Sequence, residues 1–378
     1  MIVKVRQKAA DVLDTLPNPP NDEAEALHWL RLIRSPRVGP VSFRKLLAKF
    51  GSAREALDAL PEHARSTGDP DYSVASLRSV ETEYRTGVKA RARLLAIGED
   101  DYPQALSTLH DAPPLIWAIG DVELAKKPAI GLVGARNASA LGQRTARALA
   151  IGLGKAGHVI VSGLARGIDT AAHSASLETG TIAVFAGGVD VLYPSENSQL
   201  GEAIQKTGLC ISEAPMGLHP HARHFPRRNR LISGLACGLV VVEAATKSGS
   251  LITARDALDQ GREVMAVPAH PFDSRAGGCN QLIRDGATLV RNAEDVLRAL
   301  SSLAEAPTEP AKKEIAHIDD SGDLRTAILS LLTSAPVDEY VLGELVTARP
   351  EQIAQNVTEL ELEGSVLRHP GGRISRVA

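Results

Sequence analysis

The chain has 378 residues, 44% of them apolar, which suits about two or three packed domains and excludes a wholly disordered chain. Lys and Arg number 42 against 45 Asp and Glu, a formal net charge of −3, so no overall positive field draws the chain to nucleic acid and any such role needs a local basic cluster. Aromatic residues make up 3%, which excludes a broad aromatic platform for stacking bases.

Residues 1–23 close on the breaker run LPNPPNDE and read as a leader. The opening MIVKVRQKAADVLD has no apolar core segment and no small-residue cleavage site, so no secretory signal is expected. Residues 24–95 read as a small helical domain. Apolar residues recur at helical spacing on both sides of SPRVGP (35–40), giving helix, tight turn, helix. With Arg44, Lys45 and Lys49 after the turn, this resembles a helix-hairpin-helix that can offer backbone N–H groups to a phosphate. A helical packing module is the favoured reading of the same pattern.

Residues 96–300 change character. Apolar, β-rich runs at 129–135, 158–164, 181–189, 209–214, 238–244 and 263–269 alternate with helix-length connections. Near-continuous apolar strands separated by helices predict a doubly wound, mostly parallel α/β sheet of the Rossmann-like kind. Ligands of such sheets bind outside the carboxyl ends of the strands. There the chain reads VGARNAS (133–139), SGLARGID (162–169), AGGVD (186–190) and TKSGSLIT (246–253). Gly134, Gly163, Gly167, Gly187, Gly188 and Gly249 permit close backbone approach, and Ser139, Ser248 and Ser250 add hydroxyl donors, with Asp169 and Thr253 beside them. Together they predict a phosphate-bearing ligand. Some of these glycines serve only the tight turns. The literal GxGxxG at 152–157 follows a helix and precedes a strand, so it reads as a helix C-terminus and not as a dinucleotide fingerprint. No Walker A run occurs, which argues against an ATP motor.

The densest cationic stretch is FPRRNR (225–230). Arg136 and Arg166 sit in the first two glycine-rich loops, and Lys247 beside the fourth. These groups can track a polynucleotide backbone, with Phe225 as one stacking face. A solvated loop pairing with nearby carboxylates is the plainer reading of the arginine cluster taken alone. His219, His221 and His224 lie in a loop-like run with no Cys or carboxylate to complete a set, so no metal is expected. Glu213 and Glu243 follow strands at the ligand edge and read as a general base, a ribose partner or simple loop caps. Cys210, Cys237 and Cys279 are scattered and odd in number, which predicts a reduced, cytoplasmic protein without a disulfide framework. No apolar run is long enough to span a membrane.

Residues 301–322 read as a polar, proline-containing linker. From 323 to 378, three short helices and a hairpin around Pro370-Gly371-Gly372 suggest a winged helix-turn-helix. Its last helix, PEQIAQNVTELELEG, carries Glu351, Glu359, Glu361 and Glu363 and no Lys or Arg, so it is not expected to enter a DNA groove and is assigned to protein contacts.

Taken in order from about residue 100 to 291, the stretches PPLIWAIGD, VGARNASALG, SGLARGIDTAAHSASL, TIAVFAGGVDVLYPSEN, FPRRNRLISGL, VVVEAATKSGSLITARDALDQGREVMAVP and GCNQLIRDGATLV resemble the DprA/Smf family of bacterial DNA-processing proteins. That resemblance implies a homodimer that binds single-stranded DNA without strong sequence preference. It implies protection of DNA entering in natural transformation, loading of the RecA recombinase, displacement of single-strand-binding protein, and no catalysis or cofactor. The family's DNA-contacting arginine falls on Arg136 and its basic segment on Arg227, Asn229 and Arg230; Arg166 and Lys247 follow from adjacent motifs. Ala269 departs from the family's VPG turn. A more distant likeness to nucleoside-monophosphate phosphoribohydrolases, with Glu243 or Glu213 acting on an N-glycosidic bond, lacks their PGGxGTxxE signature.

Overall fold

The computed structural model describes residues 17–66, 69, 71–305, 324–332, 337–338, 342, 350–369 and 373–376. The chain divides into two compact units, Met1–Glu305 and Ala306–Ala378. The first begins with α1 (Glu23–Arg34), α2 (Pro40–Phe50), α3 (Ala53–Ser66) and α4 (Leu77–Lys89). Asp22 starts α1 by accepting the Glu25 N–H at 2.8 Å. Pro40 opens α2, where its missing N–H leaves nothing unpaired. Between them Arg37 takes a left-handed turn conformation, φ 63°. Trp29 and Phe43 meet edge to face, centroids 5.0 Å apart, in the buried heart of the segment. Of the three cations that follow the turn in sequence, Arg44 is buried beneath it, whereas Lys45 and Lys49 are exposed.

A nine-stranded sheet follows: β1 (Arg93–Ala96), β2 (Leu115–Gly120), β3 (Ala129–Val133), β4 (Val159–Ser162), β5 (Thr181–Val184), β6 (Leu209–Ser212), β7 (Gly238–Val241), β8 (Glu263–Ala266) and β9 (Thr288–Leu289). Their order is β1-β2-β6-β5-β4-β3-β7-β8-β9. From β6 to β9 all pairings are parallel; β1 and β2 close one edge antiparallel. All six expected strands form. The antiparallel pair and β9 are additions: β1 and β9 are short, RLLA and TL, whereas β2 is an apolar run, LIWAIG, that sequence reasoning passes over.

The helices are α5 (Gln104–Ser107), α6 (Ala140–Lys155), α7 (Ile168–Ser176), α8 (Ser198–Thr207), α9 (His224–Leu235), α10 (Ser250–Asp259), α11 (Gly277–Arg284) and α12 (Ala293–Glu305). They cover both faces, and the strands alternate between two cores. Ile130 and Leu132 of β3 pack with Leu149, Ile168 and Val296, while Ala129 and Val133 belong to the core on the other face. The 152–157 glycines end α6: Gly157 has φ +87°, and the His158 N–H returns to the Leu153 carbonyl at 3.1 Å.

The helical segment is bolted to the sheet edge. Glu83 of α4 accepts from Arg34 of α1 and from the Trp117 indole of β2, each at 2.8 Å. Gly87 lies flat on the Trp117 ring, where a β-carbon would overlap it. An indole buries on the order of 200 Å², about 5 kcal/mol of apolar transfer, so these helices and the sheet share one core.

In the second unit, α13 (Leu324–Leu331), β10 (Val337–Asp338), α14 (Pro350–Leu362), β11 (Val366–His369) and β12 (Arg373–Arg376) enclose Ile328, Leu342, Val357, Leu360 and Ile374. The strands pair in the order β10-β12-β11. Most of the expected helix over DEYVLGELV and the 370–372 turn lie outside the described residues, as do leader residues 1–16 and linker residues 306–322; residues 301–305 continue α12. Among the described residues no helix is long and apolar enough to cross a membrane.

Candidate nucleic-acid interface

Strand order reverses at β3: β4, β5 and β6 lie on one side of it, β7, β8 and β9 on the other. Loops leaving a parallel sheet diverge at such a point and leave a crevice at the carboxyl ends. A crevice of about 930 Å³ opens there, walled by residues 133–137 after β3, residues 245–250 after β7, and α9.

Residues 225–230, read as an exposed loop, are helical instead. Phe225, Arg228, Asn229 and Ile232 fall at i, i+3, i+4 and i+7, so one face of α9 lines the crevice. Arg227 is exposed outside that lining. Arg230 leaves the crevice altogether. It ion-pairs with Glu213, reaches Asp111 at 3.3 Å, and donates to the Asp111 carbonyl at 3.0 Å. Helical geometry thus splits one cationic run: Asn229 faces the ligand space, and Arg230 clamps α9 to the end of β6.

Arg136 and Lys247 stand exposed at the crevice rim. The Arg136 guanidinium lies 4.8 Å from the centroid of the Phe225 ring. The Tyr193 ring lies tilted against Phe225 as well, centroids 5.9 Å apart. Beyond Phe225, Arg136, Arg166 and Tyr193 line an adjoining pocket of about 400 Å³. There Arg166 shares its charge with Glu196 at 3.4 Å, both groups exposed.

Two buried charged groups, Arg228 and Asp169, line the crevice. Arg228 donates to the Val184 carbonyl at 2.8 Å, and Asp169 accepts the N–H groups of Gly163 at 3.0 Å and Ala165 at 3.3 Å. Burial lowers the Arg228 pKa to about 10, with Asp169 opposing the shift. Burial likewise raises the Asp169 pKa against the pull of Arg228. Each charge offsets part of the other's desolvation.

The glycine-rich loops do not act alike. Gly163 makes room for Arg228, whose guanidinium a β-carbon would overlap, and its N–H is spent on Asp169. Gly167, φ 80°, lets the second loop lie on the Ala135 carbonyl, and Gly134 packs on Ile168. Gly187 and Gly188 pack on the 215–218 segment and do not line the crevice. Ser139 caps α6 by accepting the Gly142 N–H at 2.9 Å, while its own N–H (2.9 Å) and hydroxyl donate to Glu243. The positive end of α6 therefore already holds a carboxylate. Ser248, Gly249 and Ser250 do line the crevice, at the start of α10.

Sequence reasoning misses Tyr193 and Arg275, which also line it, and the burial of Arg228 and Asp169 in its lining. The helical spacing in FPRRNRLI was the available signal for Arg228. Among the described residues no group of His, Cys, Asp and Glu could hold a metal ion. The His221 N–H donates to His224 Nδ1 at 3.1 Å.

The family model described as DNA recombination-mediator protein A matches residues 93–301. Those for a DprA-like N-terminal HHH domain and a DprA winged helix domain match 23–86 and 305–372. DNA processing protein DprA of Bacillus subtilis is 45% identical over 219 residues, 57% of this chain and 74% of that protein. Escherichia coli Smf is 35% identical over 306 residues, 79% of this chain and 81% of that one. Streptococcus pneumoniae DprA superposes with TM-score 0.61 at 35% identity, covering 74% of this chain and 98% of that one. DNA processing protein A of Helicobacter pylori, solved in a study of its single-stranded DNA binding mode, gives 0.51 at 28%, covering 57% and 96%.

Proposed function

We propose a role for this chain, which belongs to the DprA/Smf family of DNA recombination mediators, as a single-stranded DNA-binding protein that holds the strand in the crevice at the β3–β7 switch point. The carrying observation is the Arg136–Phe225 pair at the mouth of that crevice. It sets a guanidinium for phosphate beside a ring for a base, with Lys247 on the opposite loop. The Helicobacter pylori relative's single-strand binding supports this reading. Arg136 and Lys247 hold phosphates by charge, Asn229 donates from the α9 face, and Phe225 stacks on an unpaired base, a contact a duplex withholds. In the cell the chain acts as a homodimer, shields incoming DNA and delivers it to the RecA recombinase in place of single-strand-binding protein. No catalysis is part of this role.

The test compares fluorescence anisotropy of single-stranded and duplex oligonucleotides over a salt series. Log affinity for the single strand should fall by about 0.7 per contacted phosphate for each log unit of salt. Preference for duplex, or no binding, defeats the reading.

A further inference from the structure

The turn between α1 and α2 has no part in the crevice. It walls a second cleft, of about 310 Å³. Arg34, Arg37 and Val38 form one side; Arg227 and the 213–215 segment with Leu218 form the other. Arg228 lines both cleft and crevice, so the first turn of α9 is a ridge shared by the two.

We propose that the cleft is a second subsite for the same polynucleotide: the strand leaves the crevice over the α9 ridge, and its next phosphates bind between Arg227 and Arg37. This rests on the single-strand reading of the crevice and extends it to the helical segment. Three features favour a strand as the occupant. The acidic groups of the cleft are already matched, Glu213 by Arg230 and the neighbouring Glu83 by Arg34 at 2.8 Å. Arg227 makes no ion pair among the described residues and is exposed. Arg37 is 68% exposed, and its partner Asp69 lies at the surface too. Such a pair is worth ~0.2–1 kcal/mol, so exchanging the carboxylate for a phosphate costs little. The wall between the cations is partly apolar, with Ile33, Val38 and Leu218 suited to a sugar or base face.

The experiment uses the full chain and two oligothymidylates of about 6 and about 20 nucleotides, bracketing the ~4–16 that a comparable groove covers. Arg37→Glu should leave the affinity for the short strand unchanged. It should weaken the long strand roughly three- to tenfold and reduce its salt slope by about 0.7. Arg37→Lys should keep the long-strand affinity, and melting curves confirm that both variants fold. Equal long-strand binding by Arg37→Glu and the natural chain overturns the subsite, as does an equal loss at both lengths. Failure of the natural chain to bind either oligonucleotide defeats the crevice reading itself, a separate outcome.

Discussion

Arg136 and Phe225 come from different walls of the crevice, yet the guanidinium lies 4.8 Å from the ring centroid. The contact joins the loop after β3 to the first turn of α9, so neither residue is placed alone. Base stacking on an aromatic contributes ~1–3 kcal/mol, and a cation over a ring adds ~0.5–2 kcal/mol. Phe225→Ala and Arg136→Ala should each weaken single-strand binding, and a double-mutant cycle should show less than additive loss. Anisotropy titrations of the single and double variants check this. Full additivity would mean that the pair does not act as a unit.

Arg227 and Arg230 are near neighbours with opposite expected phenotypes. Arg227→Ala should leave the melting temperature unchanged and lower the salt slope of binding by about 0.7. Arg230 has a side chain only 14% exposed and is held by Glu213 and Asp111. Truncating one partner of a buried pair costs roughly 3–5 kcal/mol. Arg230→Ala should therefore melt earlier in calorimetry. A stable Arg230→Ala chain with lost DNA affinity would return this residue to the interface.

That contrast marks where the sequence could be read and where it could not. The parallel strands declared themselves because both faces are buried, which leaves uninterrupted apolar runs such as AIGLVGA. Antiparallel β1 and β2 sit at an edge under the helical segment, and RLLA is too short and mixed to stand out. Arg136 and Phe225 were visible as residue types in the right motifs. The direction of each FPRRNR side chain was not, because it depends on whether the run is helical. The use of the Ser139 N–H by Glu243 joins residues far apart in sequence, and no local pattern encodes it.

His173 gives a pH signature. Its ring is buried between Thr181 Oγ1, 2.7 Å from Nδ1, and the Leu164 N–H, which donates to Nε2 at 3.3 Å. Burial first, and Arg228 second, lower its pKa to about 3. The unfolded chain takes up this proton near pH 6.5 and the folded chain only near pH 3. Stability is therefore lost as pH falls between those values, by up to about 1.4 kcal/mol per unit. Asp169, whose pKa is raised, works in the opposite direction. The difference between the natural chain and His173→Gln isolates the imidazole. Urea melts from pH 7 to pH 4 should show a shallower slope for the variant. Parallel slopes would remove His173 as the titrating group.

The acidic tail should be dispensable for strand binding. In α14, Glu361 and Glu363 pair with Arg368 and Arg325, while Glu359 accepts from Gln355 at 3.2 Å. Two of these carboxylates are thus balanced, and α14 itself carries no Lys or Arg for a phosphate. A chain ending at Glu305, the limit of the first compact unit, should keep its single-strand affinity by anisotropy. Loss of that affinity would place part of the interface in the tail.

Glu243 separates a binding protein from an N-glycosidic hydrolase built on the same kind of sheet. Its carboxylate is occupied by the Ser139 N–H and hydroxyl, and Gly142 leaves room for it, since a β-carbon there would overlap the carboxylate. An acid in that position satisfies a helix end and offsets its positive pole, worth ~0.3–2 kcal/mol. Glu243→Gln should lower stability by about that amount while leaving strand affinity intact. Ser139→Ala, which removes the cap, should cost about 0.5–2 kcal/mol. Neither the natural chain nor Glu243→Gln should release free base from AMP in a chromatographic assay. Base release by the natural chain that disappears in the variant would make Glu243 a catalytic group and the crevice a nucleotide site.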